Sequence, residues 1–307
     1  MSFKRSSIRS SIRSSIRSPM RKIRRMCLPA LLCLSLVFPQ RAFAGAMEVV
    51  VTQPWLVLVA SFIGGPNVAV SPLLEWAPDG SRVPAARGRL LRSLSKEARI
   101  MVLDLEDARR TRLDAGQFPH FRALYRPFPI EADRIDAALS DPSVLPFVAQ
   151  RILTVLADWD PANYPYYQRR LAEFQARLSG SVLAGRQILR DIPVYDLTGC
   201  SGAILQAAGC RIERPASADW AAWSAGREQE LLLQELDRYR EGKVTVIMDG
   251  ATPKALRRLL EPRPEVFSFG RPPLDQDYPA FLHDQYISLW LKSTTKPLPP
   301  PPRPKRR

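Results

Sequence analysis

The stretch DWDPANYPYYQRRLAEFQARL, Asp158 to Leu178, decides how the rest of the chain is arranged. Asp160-Pro161 is a helix start: an acceptor side chain precedes a proline whose missing N–H costs nothing in a first turn. From there Tyr164, Tyr167, Leu171, Phe174 and Leu178 recur at spacings of three and four. That spacing lays one apolar stripe along a helix and leaves a polar opposite face. The periodicity continues to Leu189. About 25 residues of helix make a rod about 38 Å long, the height of a small domain. A rod of that length in mid-chain has to join whatever lies on either side of it.

Both sides read as α/β. Upstream, MEVVV (47–51) is a buried strand, and PWLVLVASFIGG is a helix opened by Pro54 and closed by Gly64-Gly65. NVAVSPLL (67–74) is a second strand, ARGRLLRSLSKEA (86–98) an amphipathic helix and RIMVLDL (99–105) a third strand. Residues 106–137 are irregular, and DPSVLPFVAQRILTVLADW (141–159) resumes a helix. Downstream, DIPVYDL (191–197), CRIER and KVTVIMDG (243–250) read as strands, with EVFSFG as a fourth. Between and after them lie the helices SGAILQAAG, REQELLLQELDRYREG (227–242), TPKALRRLLEP (252–262, with Thr252 as its cap) and DYPAFLHDQYISLWLKS (277–293). Strands alternating with helices predict parallel sheets covered on both faces. The expected fold class is therefore α/β: two lobes with parallel-rich sheets, residues 45–160 and 191–295, joined by one long rigid linking helix, 161–190.

The ends of the chain speak to its compartment. Residues 1–44 carry ten Lys and Arg and no acid, an apolar run follows from Cys27 to Phe38, and Ala42-Phe43-Ala44 precedes Gly45. This is the order of a secretory signal peptide cleaved near Ala44, and the apolar run is too short to span a bilayer. The mature protein is expected in the periplasm. The repeat RSSIRSSIRSSIRS admits a basic amphipathic helix at a membrane surface. A start at Met20 would leave an ordinary leader, and that reading is favoured.

With ten basic residues in the leader and five in the tail KPLPPPPRPKRR, the 45 Lys and Arg leave 30 in the body, equal to its 30 acids. A neutral body excludes a broad nucleic-acid-binding surface despite the basic whole chain. The Pro-rich basic tail, 296–307, is expected to be extended and disordered, with a membrane or a partner as its contact if it has one. Cys27 and Cys33 leave with the leader, so Cys200 and Cys210 are the thiols of the body. Export permits a disulfide between them. Helix between them would hold the thiols about 15 Å apart, so a bridge requires the chain to fold back.

Several stretches resemble the metal-receptor family of bacterial zinc and manganese ABC importers. VVVTQPWLVLVASFIGGPNVAVSPLL is similar to that family's opening strand, Pro-started helix, paired glycines and second strand. LSKEARIMVLDLED is similar to its third strand, DPSVLPFVAQRILTVLADWDPANYPYYQRRLAEFQARL to the segment leading into its linking helix, and VYDLTGCSGAILQAAG and VTVIMDG to its second lobe. The likeness spans roughly residues 48–293. It implies two lobes on one rod over a cleft, a ligand between the lobes, no enzymatic activity and an ABC permease in the inner membrane as partner.

The family's ligands do not carry over. The resemblance places its four metal-binding positions at Ser81, within the 81–83 loop, at Ser143 after Asp141-Pro142, at Thr198 and at Phe269. None offers an imidazole or a carboxylate, and the body holds only His120 and His283, both in segments expected away from the cleft. Zinc takes about four N, O or S donors, and hydroxyls are poor ones at neutral pH. Tight family-style binding is therefore expected to be lost, weak zinc or manganese binding being the alternative. Asp79, Asp196, Cys200 and Asp249 are the candidates for a replacement site. Asp249 follows a strand at the end where α/β ligands bind, but a helix cap or turn residue before Thr252 is the favoured reading. Cys200 and Cys210 lack CxxC spacing, and a buried apolar position is the favoured reading of Cys200.

Enzyme readings find no support in the residues. No His stands in pattern with Ser201 or Ser268 for a triad, and IGGPN lacks the spacing and lysine of a phosphate loop. The expected function is an exported solute-binding-type protein with a dismantled metal site, working with an ABC permease on a metal or another solute. The alternative is a periplasmic interaction or scaffold protein with no ligand, its cleft filled by Trp76, Phe269 and Arg271.

Overall fold

The apolar runs upstream of the rod form β1 (Met47–Val51), α1 (Pro54–Gly64), β2 (Val68–Pro72), β3 (Leu74–Trp76), β4 (Arg82–Pro84), β5 (Arg99–Val102), α2 (Leu105–Arg110), β6 (Phe121–Ala123), α3 (Ile135–Ser140) and α4 (Leu145–Trp159). The rod is α5 (Tyr164–Leu189), 26 residues, entered through a short 3-10 turn at Pro161–Asn163. Downstream come β7 (Pro193–Asp196), α6 (Gly202–Ala207), β8 (Arg211–Glu213), α7 (Ser217–Ser224), α8 (Gln229–Glu241), β9 (Thr245–Asp249), α9 (Lys254–Leu260), β10 (Val266–Phe269) and α10 (Tyr278–Thr294). The computed structural model describes residues 45–78, 80–85 and 94–294. Residues 1–44, where a leader is expected, Asp79, residues 86–93 of one expected helix and the 296–307 tail lie outside the described residues.

Two four-stranded sheets result, ordered β2-β1-β5-β6 and β10-β9-β7-β8. Every ladder in both is parallel. The α/β class with parallel sheets and one long helix is thus the observed fold. The strands carry the signature of two-sided burial: Val49, Val51, Ile100, Met101, Val102, Val194, Val246 and Ile247 are all fully enclosed. A third, two-stranded antiparallel sheet pairs β3 with β4.

The predicted stripe on α5 faces the core. Tyr167, Leu171, Phe174 and Leu178 are buried, whereas Tyr164 at the helix start is 40% exposed. Phe174 meets Phe62 of α1 edge-on at 5.2 Å. Arg170 lays its guanidinium 4.2 Å from the Phe62 ring and donates to the Phe62 carbonyl at 3.0 Å. One apolar core runs along α5 from Val49 of the first sheet to Ile247 of the second. Against α10 the packing is closer still, because Gly185 admits the ring of Tyr286 where a Cβ would stand 2.5 Å from it. Asp160 holds the entry to α5 from the side: its carboxylate accepts from Tyr167 Oη at 2.6 Å and Asn163 Nδ2 at 2.7 Å.

Some local expectations need correction. The described end of the 86–98 helix is a turn, with Ser95 holding the backbone N–H groups of Glu97 and Ala98. The third strand stops at Val102, and Asp104 caps α2 by accepting from Asp107 N at 2.7 Å. Thr252 does not cap α9. Its hydroxyl donates to the Leu197 carbonyl at 2.8 Å and accepts from Asp249 N at 2.9 Å, which fastens the end of β9 to the end of β7.

Candidate interlobe site

β9 is buried along its whole length and delivers Asp249 to its C-terminal end. There the chain after β7 folds around the carboxylate. One oxygen accepts from Gly199 N at 2.9 Å and Ala251 N at 3.0 Å, with Thr252 Oγ1 beside it at 3.2 Å. The other accepts from Cys200 N, Ser201 N and Ser201 Oγ, each at 2.9 Å, and from Cys200 Sγ at 3.2 Å. Burial works against the charge, but these donors outweigh it and hold the carboxyl below the usual range. Every lone pair of Asp249 is committed inward, so it organises the 199–201 loop. Cys200 lies in the same cluster, and burial, aided by the Asp249 charge, pushes its thiol up to about 12. The thiol is buried and donates to the Asp249 carboxylate, so it is turned into its own loop. Cys200 and Cys210 are both free thiols, with α6 between them.

Asp196 ends β7 and turns the other way. It is buried and accepts from Arg214 Nε at 2.9 Å, from Thr198 N at 3.0 Å and from Thr198 Oγ1 at 2.7 Å. A groove of about 430 Å³ opens beside it, between the α3–α4 region of the first half and the β7–α6 region of the second. Arg134 and Asp141 line it from one side, Thr198, Gln206 and Arg214 from the other. Below the groove the two halves are joined: Ser140 Oγ donates to the Cys200 carbonyl at 2.7 Å, and Tyr278 Oη donates to the Ser140 carbonyl at 3.2 Å.

The four positions matched to metal ligands are scattered in role. Ser81 lies in the β3–β4 turn, exposed, with its carbonyl accepting from Ala77 N at 2.8 Å. Ser143 is exposed in the turn that Asp141 closes by accepting Ser143 N at 2.8 Å. Thr198 spends its hydroxyl on Asp196. Phe269 is buried at the end of β10, its ring edge-on to Phe267. Four coordinating N, O or S atoms are what a zinc centre needs; two exposed serines, one committed threonine and a phenyl ring do not fit it. Among the described residues no group of three or more His, Cys, Asp or Glu is placed to hold a metal ion. His120 faces Glu97 at 3.5 Å and His283 sits on α10 beside Asp284.

A different set of residues fills the space between the β3–β4 turn and the loops after β9 and β10. Arg271 holds its guanidinium 5.5 Å from the Trp76 ring and reaches the Gly80 carbonyl at 3.5 Å. Trp76 is edge-on to Trp55 at 5.2 Å, and Trp55 to Tyr278 at 5.4 Å. Gly80, at φ +76°, lies so close to Gly250 that a Cβ there would overlap the Gly250 carbonyl group. Only glycine meets both demands. Trp76 Nε1 and Arg271 Nε are enclosed there with no acceptor among the described residues, so the space presents donors and a positive charge.

Deeper in the first half, Asp107 accepts from Thr52, Gln53 and Leu103 N. Burial raises its carboxyl, and those bonds offset the rise only in part. Arg82 donates to Gln53 Oε1 at 2.7 Å and pairs with Asp136 at 3.6 Å, which ties β4 to α1 and α3. Sequence reading takes Asp104, Glu106 and Asp107 as solvated or capping acids after a strand, which fits Asp104 but not the enclosed Asp107, and it does not single out Arg134, Gln206 or Arg214. Arg134 and Arg214 lie 80 positions apart, and no local pattern announces their meeting. Gly80 did have a signal, since Asp79-Gly80 is a hairpin dipeptide between two short β-prone runs.

No protein-family model matches the sequence, and no curated protein matches it. Solved structures do match in fold. ZnuA aligns at a TM-score of 0.58 and 17% identity, over 81% of this chain and 100% of its own. The laminin-binding protein Lmb of Streptococcus agalactiae, described as having adhesin and metal-transporting activity, aligns at 0.58 and 14% over 81% and 100%. A zinc-bound variant of AdcAII from Streptococcus pneumoniae aligns at 0.57 and 13% over 80% and 99%. At such identities the likeness is one of architecture, and the chain has the two-sheet, helix-linked fold of these metal-binding solute receptors.

Proposed function

We propose that this chain is an exported protein of the solute-binding type that serves an ABC permease without holding zinc or manganese between its lobes. The carrying observation is the Arg271 guanidinium, packed on Trp76 between the turn that bears Ser81 and the strand end that bears Phe269. A tethered cation in that space repels a divalent one, and Asp249, the carboxylate at the end of β9, is already spent on its own loop. Export is supported by the leader and by the fold of the matched proteins, and the permease by that fold alone.

The test is element analysis and a zinc or manganese titration of the purified mature chain. The expected result is no stoichiometric metal and a thermal shift below about 1 °C, since a ligand stabilises only in proportion to its occupancy. Submicromolar binding of either metal overturns the reading. A second reading, an interaction protein that uses the fold as a fixed scaffold, is favoured by the Gly80–Gly250 contact. It is distinguished by a specific protein partner captured with no stabilisation by any small solute.

A further inference from the structure

We infer that the groove beside Asp196 is a binding site for a small zwitterion of the α-amino acid or dipeptide class. This deepens the receptor reading and rests on it for its biological sense, but the site is argued from its own chemistry. The space, about 430 Å³, is in the range of small-molecule sites and large enough for a free amino acid. Its walls belong to different halves of the molecule, so an occupant touches both.

The charges on those walls are mixed and unequally committed. Asp196 is fully used by Arg214 and Thr198. Arg214 binds it through Nε, and the guanidinium edge bearing Nη2 lies against Gly202, where a Cβ would stand 3.0 Å from Nη2. Glycine at 202 therefore makes room for the ion pair at the groove wall. Facing it, Arg134 is exposed and has no ion-pair partner among the described residues. Asp141 has one oxygen on Ser143 N and offers the other. A metal cation is disfavoured by two guanidinium groups, and a simple anion by two carboxylates. A molecule carrying one carboxylate and one ammonium satisfies both: carboxylate to Arg134 and Arg214, ammonium to Asp141, by charge-assisted hydrogen bonds. Gln206 supplies a donor and an acceptor at the edge, and Ile130, Ala138 and Val144 give an apolar wall for an aliphatic portion.

The experiment is a thermal-shift and calorimetric screen of the metal-free mature chain. The probes are the twenty free amino acids and glycylglycine at about 1 mM, with acetate, phosphate and methylamine as single-charge controls; stabilisation follows occupancy. The expected result is binding of at least one free zwitterion, with none by its N-acetyl or methyl-ester form. Arg134→Ala should weaken that binding about tenfold or more, in line with loss of a charge-assisted pair, with the unliganded melting temperature unchanged. Asp141→Asn should weaken it too while acetate remains without effect. Failure of every zwitterion to bind, equal binding of blocked forms, or unchanged affinity in Arg134→Ala overturns the assignment. Any of these leaves the metal-free receptor reading standing, and metal retention sinks that reading without touching this one.

Discussion

Asp249 shows how one side chain trades a ligand role for a structural one. Six donors converge on its two oxygens. Asp249→Asn replaces an acceptor by an amide NH2 that faces backbone N–H groups, leaving buried donors unpaired at a cost of about 3 kcal/mol. Equilibrium denaturant unfolding at neutral pH measures that loss. The sign of the pH dependence follows from the depressed carboxyl. Its contribution is present above the ordinary carboxylate range and is lost as pH falls through the folded value. Asp107 has the opposite sign: its carboxyl is raised, so its contribution is held at low pH and lost as pH rises through the folded value. The acid limb of the stability curve should therefore flatten in Asp249→Asn. An unaltered acid limb would show that the carboxylate is not the group being titrated.

At the scale of the element, α5 carries two glycines with opposite surroundings. Gly180 is exposed, and a Cβ added there would meet nothing within 4 Å, whereas a Cβ at Gly185 would meet the Tyr286 ring at 2.5 Å. Gly180→Ala should stabilise by about 0.5–1 kcal/mol through helix propensity alone. Gly185→Ala gains the same and loses about 1–3 kcal/mol to overpacking, for a net loss. Tyr286 is fully buried and donates to the Ile204 carbonyl at 3.0 Å, so it has little freedom to retreat. Denaturant midpoints of the two variants decide the matter, and equal behaviour would mean that the α5–α10 crossing is slack. The apolar stripe of α5 was readable because a helix repeats its faces every few residues. The strands β3 and β4 and helix α7 leave too short a periodic trace, and the only signal of the hairpin is its Asp79-Gly80 dipeptide.

At the scale of the whole molecule, the space between the β3–β4 turn and the loops after β9 and β10 is filled by the protein itself, apart from the groove beside Asp196. Arg271, Trp76, Gly80 and Gly250 link segments up to 195 positions apart in the chain. Arg271→Ala removes the guanidinium from the Trp76 face, a contact that contributes about 1–2 kcal/mol when desolvated. The melting temperature should fall by about 2–6 °C for a body of this size. Small-angle scattering should show a larger radius of gyration as the lobes part. Arg271→Lys should recover the charge without the planar stacking and fall between the two. A variant with unchanged scattering and melting would show that the guanidinium does not hold the lobes together.

What the sequence determined by itself is the set of local objects: the rod, the strands with their covering helices, and the lack of imidazole or carboxylate at Ser81, Ser143, Thr198 and Phe269. These are written in short-range periodicity and in residue chemistry, which need no knowledge of distant neighbours. Tertiary structure alone decided what the charged residues do. Asp196 and Asp249 read alike as acids after parallel strands, yet one binds Arg214 beside an open groove and the other is enclosed by its own loop. Arg134 and Arg214 likewise become neighbours of one groove only because two halves of the chain close on α5. A side chain's pattern of donors and its exposure are properties of the space around it, and that space is built by segments far apart in the chain.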